Sequence, residues 1–165
     1  MSIENMNPIW FQAIVEQAPD AIIFADRDGI IRVWNRSAEA LFGYSAAEVL
    51  GGNLDVIIPE RLRSAHWDGF HRAVETGQAK YVGRVLTTRS VHKNGTKLYV
   101  DLSFGLVRDQ AGAVAGALAI GRDCTARYSS DRALRAHVLE LEQKLEAASK
   151  VPVQQRLPAK ASLQG

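Results

Sequence analysis

Apolar positions in this chain change their spacing several times, and each change marks an element. Ile9, Trp10, Ala13 and Ile14 fall at helical intervals behind an Asn7-Pro8 start, so a helix is predicted to end near Gln17, where Ala18-Pro19-Asp20 breaks it. Ala21 to Ala25 and Ile30 to Asn35 are short apolar runs around the turn sequence Asp26-Arg27-Asp28-Gly29, which predicts a β-hairpin. Three short helical turns should follow, each marked by its caps. Asn35 opens a turn through Ala38 to Phe42 that Gly43 closes. Ser45 and Glu48 stand as a capping box ahead of Val49 and Leu50, with Gly51 as the stop, and Asn53 to Ile57 forms the third turn.

A longer helix is predicted from Ile58 to Gly77, with Pro59 in its first turn, where a missing N–H does no harm, and glycine at its end. Leu62, His66, Phe70 and Ala73 are spaced to share one face, which puts an imidazole in the middle of an apolar stripe. A histidine in that position needs a hydrogen-bond partner or a metal, and the spacing alone leaves both open. His71 lies about 140° further round the helix and is the fallback ligand. Strands are then predicted over Tyr81 to Val91, Lys97 to Val107 and Ala113 to Ile120, joined by the turns Lys93-Asn94-Gly95 and Asp109-Gln110-Ala111-Gly112. The layout is α+β with a single antiparallel sheet.

Behind Asp123-Cys124-Thr125 comes a last helix, Ala126 to Ala148. Leu134, Val138, Leu141 and Leu145 repeat on it at four, three and four, a narrow Leu-rich stripe that favours a coiled-coil dimer over a helix folding back on its own sheet. The organisation expected is a flanking helix over 1–17, a sensor domain over 18–124, a signalling helix over 125–148 and a disordered tail or linker over 149–165.

Charge and composition remove alternatives. The formal net charge is +2, too small to argue for nucleic acid or an anionic membrane surface as partner. No apolar run approaches the ~18 residues that would span a bilayer, and Met1-Ser-Ile-Glu-Asn lacks the layout of a signal peptide. The single cysteine, Cys124, forbids an internal disulfide and suits a reducing cytoplasm. Gly51-Gly52 lacks the Lys-Ser/Thr of a phosphate-binding loop, no Cys/His cluster has zinc spacing, and no nucleophile–base pair stands out. The chain is expected not to be an enzyme.

The hairpin, the run Trp34-Asn-Arg-Ser-Ala-Glu-Ala-Leu-Phe-Gly-Tyr44, Glu48-Val-Leu-Gly51, the long helix, the Lys-Asn-Gly turn and Asp123-Cys-Thr125 together resemble a PAS domain, over roughly Ala18 to Arg127. The resemblance implies a sensory or interaction module that signals through a flanking helix. The light-sensing flavin branch carries an Asn-Cys pair where this chain has Asn53-Leu54, so a flavin–cysteine adduct is not expected. Pro59-Glu-Arg-Leu-Arg-Ser-Ala-His66 with Phe70 is similar to the stretch around the axial histidine of the haem-binding, oxygen-sensing branch (FixL-like and direct-oxygen-sensor proteins).

That similarity implies haem b held by His66, with O₂, CO or NO as the gas. It places Arg84 near the gas side, where FixL-like proteins use an arginine and direct-oxygen sensors a methionine. It matches Leu102 and Phe104 to apolar cover and Arg72 to a haem propionate. It further implies a homodimer through the flanking helices and a downstream effector domain outside this chain. Two other readings stay open: a cofactor-free PAS module for dimerisation and relay, and a PAS pocket for a small organic molecule.

Overall fold

The computed structural model describes residues 7–81 and 83–150, so the predicted tail lies outside the described residues except for its first two positions. Two compact units divide the chain, one through Thr125 and the other from Ala126. The first unit contains α1 (Pro8–Gln17), β1 (Ala21–Asp26), β2 (Ile31–Trp34), α2 (Arg36–Phe42), α3 (Ala46–Val49), a 3₁₀ turn over Leu54–Val56, α4 (Glu60–Thr76), β3 (Val85–Val91), β4 (Lys97–Arg108) and β5 (Val114–Asp123). The strands form one antiparallel sheet in the order β2-β1-β5-β4-β3, so the last strand, β5, lies at its centre between β1 and β4.

Local chemistry sets most boundaries as predicted. Asn7 Oδ1 accepts from Ile9 N at 3.0 Å to cap α1. Asn35 and Asn53 cap α2 and the 3₁₀ turn, and the Glu48 carboxylate accepts from Ser45 N at 2.8 Å to complete the capping box of α3. Gly77 ends α4 in the left-handed region.

One prediction needs correcting. The strand expected from Tyr81 begins only at Val85, because Arg84 N bonds back to Tyr81 O at 3.1 Å and Gly83 takes φ +72°. Arg84 therefore stands in a turn ahead of β3 rather than on the strand.

The core lies between the inner face of the sheet and the helices, built on Ile23, Ile31, Trp34, Phe42, Val49, Phe70, Val74, Leu98 and Val100. Asn35 ties the N-terminal segment to it. Its side chain is buried and fully paired, Oδ1 accepting from Ile22 N and Ala38 N, Nδ2 donating to Val15 O and Asp20 O, all at 2.9–3.0 Å. The end of α4 is held by Arg108, which donates to Gly77 O and Gly112 O, both at 2.9 Å.

In the second unit, α5 (Thr125–Ser149) runs one residue beyond the predicted end of its helix. Its seam residues Leu134, Val138, Leu141 and Leu145 are all exposed. Lys144–Glu140 and Lys150–Glu146 pair along it at four-residue spacing.

Candidate functional site

Alternation along the strands decides which side chains face the helices. Ser90 and Thr88 pair with the buried Leu98 and Val100, so they point inward, while Arg89 and its partner Tyr99 point to the opposite face. On β5 the inward positions are Ala117 and Ala119, paired with Ala25 and Ile23 of β1. Small residues at the middle of the sheet leave space that larger ones would fill. α4 crosses opposite, and the result is a cavity of about 600 Å³ lined mainly by apolar side chains. Close-packed interiors hold few voids larger than a water molecule, and ligand sites occupy ~300–1,000 Å³, so this space has the dimensions of a binding site rather than of a packing defect.

His66 lies on the α4 wall of that cavity. Phe70, one turn on, is stacked against its ring at 6.1 Å between centroids, and Trp67 meets it edge-on at 4.9 Å. The Nδ1 atom of His66 is buried without a hydrogen-bond partner. Burial pushes the imidazole pKa below its ordinary value; the Asp55 carboxylate opposes that shift and His71 adds to it. The ring is therefore neutral near pH 7, the form that binds a metal.

Leu102 and Phe104, on β4, line the cavity from the sheet. Leu102 has its place because Gly121 faces it: a Cβ on Gly121 would lie 2.4 Å from Leu102 Cδ2. Arg72 and Arg84 are exposed and are not part of the lining. Arg84 nevertheless belongs to the same short turn as Tyr81, which does line the cavity. His71 is exposed and stacks on Trp67 at 5.7 Å. The structure thus brings together His66, Phe70, Leu102 and Phe104 and leaves the two arginines outside that group.

Several lining residues were not singled out from sequence: Tyr81, Thr88, Ser90 and the alanines of β1 and β5. The two-residue period of β3 carried the signal for Thr88 and Ser90. Thr88 Oγ1 donates to Val100 O at 3.2 Å. Arg89 also lines the cavity; its Nε is the second buried polar atom without a hydrogen-bond partner among the described residues, and its guanidinium lies over the Tyr99 ring at 5.6 Å.

The donor set suits haem. It is one neutral imidazole on an apolar wall, appropriate to a metal already held by a macrocycle. Among the described residues no three His, Cys, Asp or Glu side chains converge to cage a bare ion.

A fold of this order, with a ligand-sized cavity between α4 and the sheet, is that of a sensory domain. The family model described as the PAS fold matches residues 11–124, and the chain belongs to the PAS family. It is 28% identical over 134 residues to the oxygen sensor protein DosP of Escherichia coli strain K12, covering 81% of this chain and 16% of that one. It is 34% identical over 96 residues to the sensor protein FixL of Bradyrhizobium diazoefficiens, covering 57% of this chain and 19% of that one. The chain thus spans less than a fifth of the length of either relative. Among solved structures, a PAS domain from Colwellia psychrerythraea superposes with a TM-score of 0.62 at 24% identity, over 73% of this chain and 99% of that one. An RNA-binding light-oxygen-voltage receptor gives 0.65 at 23% identity, over 88% and 41%; likeness at these identities establishes the fold alone. Among the described residues no helix is long and apolar enough to cross a membrane.

Proposed function

We propose that this PAS domain binds haem b through His66 and senses a diatomic gas. One observation carries the proposal: His66, the only imidazole among the residues that line an apolar cavity of about 600 Å³, has a ring nitrogen, Nδ1, that is buried without a partner. A buried polar atom left unpaired costs roughly 1–3 kcal/mol, which marks the His66 ring as kept for more than packing. Similarity to an oxygen sensor protein points the same way.

Haem held there would supply an iron with a face open to O₂, CO or NO. His66 is the protein ligand in this reading, with Phe70 fixing its ring and Leu102 and Phe104 keeping the gas side apolar. Arg84 is assigned as a charge-assisted donor that reaches in from the turn before β3, and Arg72 as the partner of a propionate carboxylate. Neither arginine has a side-chain hydrogen bond or ion pair to give up among the described residues.

Signal transfer is assigned to β5, which lines the cavity at Ala117 to Ala119 and continues through Cys124 into α5. The exposed apolar residues Ile9, Trp10 and Ile14 of α1 and the seam of α5 support a homodimer through the flanking helices, with an effector beyond. The domain itself is assigned no catalysis.

An absorption spectrum tests the proposal. Protein reconstituted with haem should show a Soret band that shifts on adding dithionite and then CO, and His66→Ala should abolish it. A colourless protein that takes up no haem overturns the proposal. If such a protein releases an organic molecule on denaturation, the cavity holds a small organic ligand instead; with nothing released, a cofactor-free relay module remains.

A further inference from the structure

We infer that Asp55, acting through Trp67, is the positioning residue for His66: it fixes the turn of α4 that carries the imidazole and places a negative charge behind it. The inference rests on the reading of His66 as the haem ligand. Asp55 sits in the 3₁₀ turn that precedes α4, and its Oδ1 accepts from Trp67 Nε1 at 2.8 Å. Trp67 follows His66 directly, and the two rings meet at 4.9 Å and 83°. The far edge of the indole is fixed as well. It lies where a Cβ on Gly29 would stand, 2.3 Å from Cη2, so the ring is held between the β1–β2 turn and α4.

Arg63 closes the arrangement from the helix side. Its Nη2 donates to Asp55 O at 3.0 Å and its Nε to Ile58 O at 3.2 Å, while Nε stands 3.8 Å from Asp55 Oδ1. One carboxylate therefore gathers an indole N–H and a guanidinium one turn apart on the same helix. An indole donates a single hydrogen bond, so rotating Trp67 away would break its only polar contact. His66 cannot shift along α4 without moving Trp67. Asp55 makes no hydrogen bond to His66 itself; it acts on the imidazole through the Trp67 ring contact and through its charge.

Two substitutions separate the hydrogen bond from the charge. Asp55→Asn keeps an acceptor for Trp67 Nε1 and removes the charge; Asp55→Ala removes both. In protein without haem, the indole N–H resonance of Trp67, assigned with Trp67→Phe, should keep its position in Asp55→Asn and move toward the unbonded range in Asp55→Ala. In haem-loaded protein, Asp55→Asn should retain haem affinity and raise the ferric/ferrous midpoint potential, because a negative charge behind the imidazole favours the ferric state. Asp55→Ala should show the same rise with a loss of haem affinity of roughly tenfold. An unmoved indole resonance in Asp55→Ala, or an unchanged potential in Asp55→Asn, overturns the inference. If wild-type protein takes up no haem, the reading of His66 fails and the charge effect with it, and the indole resonance still decides whether Asp55 holds Trp67.

Discussion

The ring of Trp67 lies against the backbone of Gly29: a Cβ at Gly29 would fall 2.3 Å from Cη2 and 2.4 Å from Cζ3. Gly29 also takes φ +77°, a conformation that other residues rarely adopt. Gly29→Ala should therefore be destabilising by two independent routes, backbone strain and collision with a ring held by Asp55. Together they should amount to about 3 kcal/mol in urea denaturation. In a Trp67→Ala background the collision is gone and the loss should fall to ~1–2 kcal/mol. Equal losses in the two backgrounds would show that the ring does not occupy that place.

Asn35 offers a second test of the frame. All four of its side-chain hydrogen bonds are made, two accepted and two donated, in a residue that is 1% exposed. Asn35→Ala should cost roughly 3 kcal/mol or more, since it orphans the buried backbone groups it served. Asn35→Asp is nearly isosteric but should fare little better. It keeps the bonds from Ile22 N and Ala38 N, yet sets a carboxylate against the carbonyl oxygens of Val15 and Asp20. Thermal denaturation of both variants distinguishes this from a capping role alone, in which aspartate would substitute freely.

Much of this frame was legible because its signals are local. Asn35, Gly43 and the Ser45–Glu48 box start or stop helices through bonds made within a few residues, and Gly77 ends α4 by its left-handed conformation. His66 was found by four-residue spacing with Leu62 and Phe70, and Leu102 and Phe104 by resemblance. What was not legible depends on distance along the chain. β1 pairs with β5, matching Ala21 to Gly121 and Asp26 to Gly116, and nothing in either strand names the other. The cavity follows from that pairing, because only then do Ala25, Ala117 and Ala119 meet opposite α4. Arg84 was expected on a strand because Val82 and Val85 suit one, but the positive φ at Gly83 bends the chain first. Trp67 drew no attention, since its partners Asp55 and Gly29 come together only in the folded chain.

The half-buried imidazole of His66 makes stability depend on pH in protein without haem. Burial holds the His66 pKa below its unfolded value of 6.5. The unfolded chain therefore binds the proton more readily, and the stability linked to His66 is complete above pH 6.5 and lost as pH falls through the folded value. Melting temperature followed from about pH 8 down to about pH 5 should decline in the wild type. His66→Gln should flatten that part of the curve, leaving only the decline contributed by other groups. An identical profile in both proteins would mean that the ring is solvated in the folded state.

Glu48 gives a contrasting acid response, confined to the surface. Hydrogen bonds from Lys93 Nζ and then from Ser45 N and Oγ lower its pKa from 4.5 to about 2. A carboxylate lowered in the folded state adds stability above pH 4.5, which is lost as pH falls through about 2. The group is exposed, so salt should weaken the effect. Carboxyl NMR should place the Glu48 midpoint near 2 at low ionic strength, and Lys93→Ala should raise it toward 4.5. A midpoint indifferent to Lys93 would show that the capping bonds alone hold the carboxylate.

Gly121 connects packing to the cavity itself. On the inner face of β5 its missing side chain leaves room for Leu102 Cδ2, and Val100 Cγ1 lies 3.0 Å from where a Cβ would be. In Gly121→Ala the nearer obstacle is the end of a flexible side chain, so the fold should survive with a loss of ~1–3 kcal/mol. Leu102 must then turn, and since it already lines the cavity, the space open to its displaced methyl groups is the cavity. Haem uptake should weaken in Gly121→Ala, whereas Leu102→Ala in the same background should restore it by vacating that volume. A destabilised Gly121→Ala protein that takes up haem as well as the wild type does would mean that Leu102 moves along the sheet and not into the binding space.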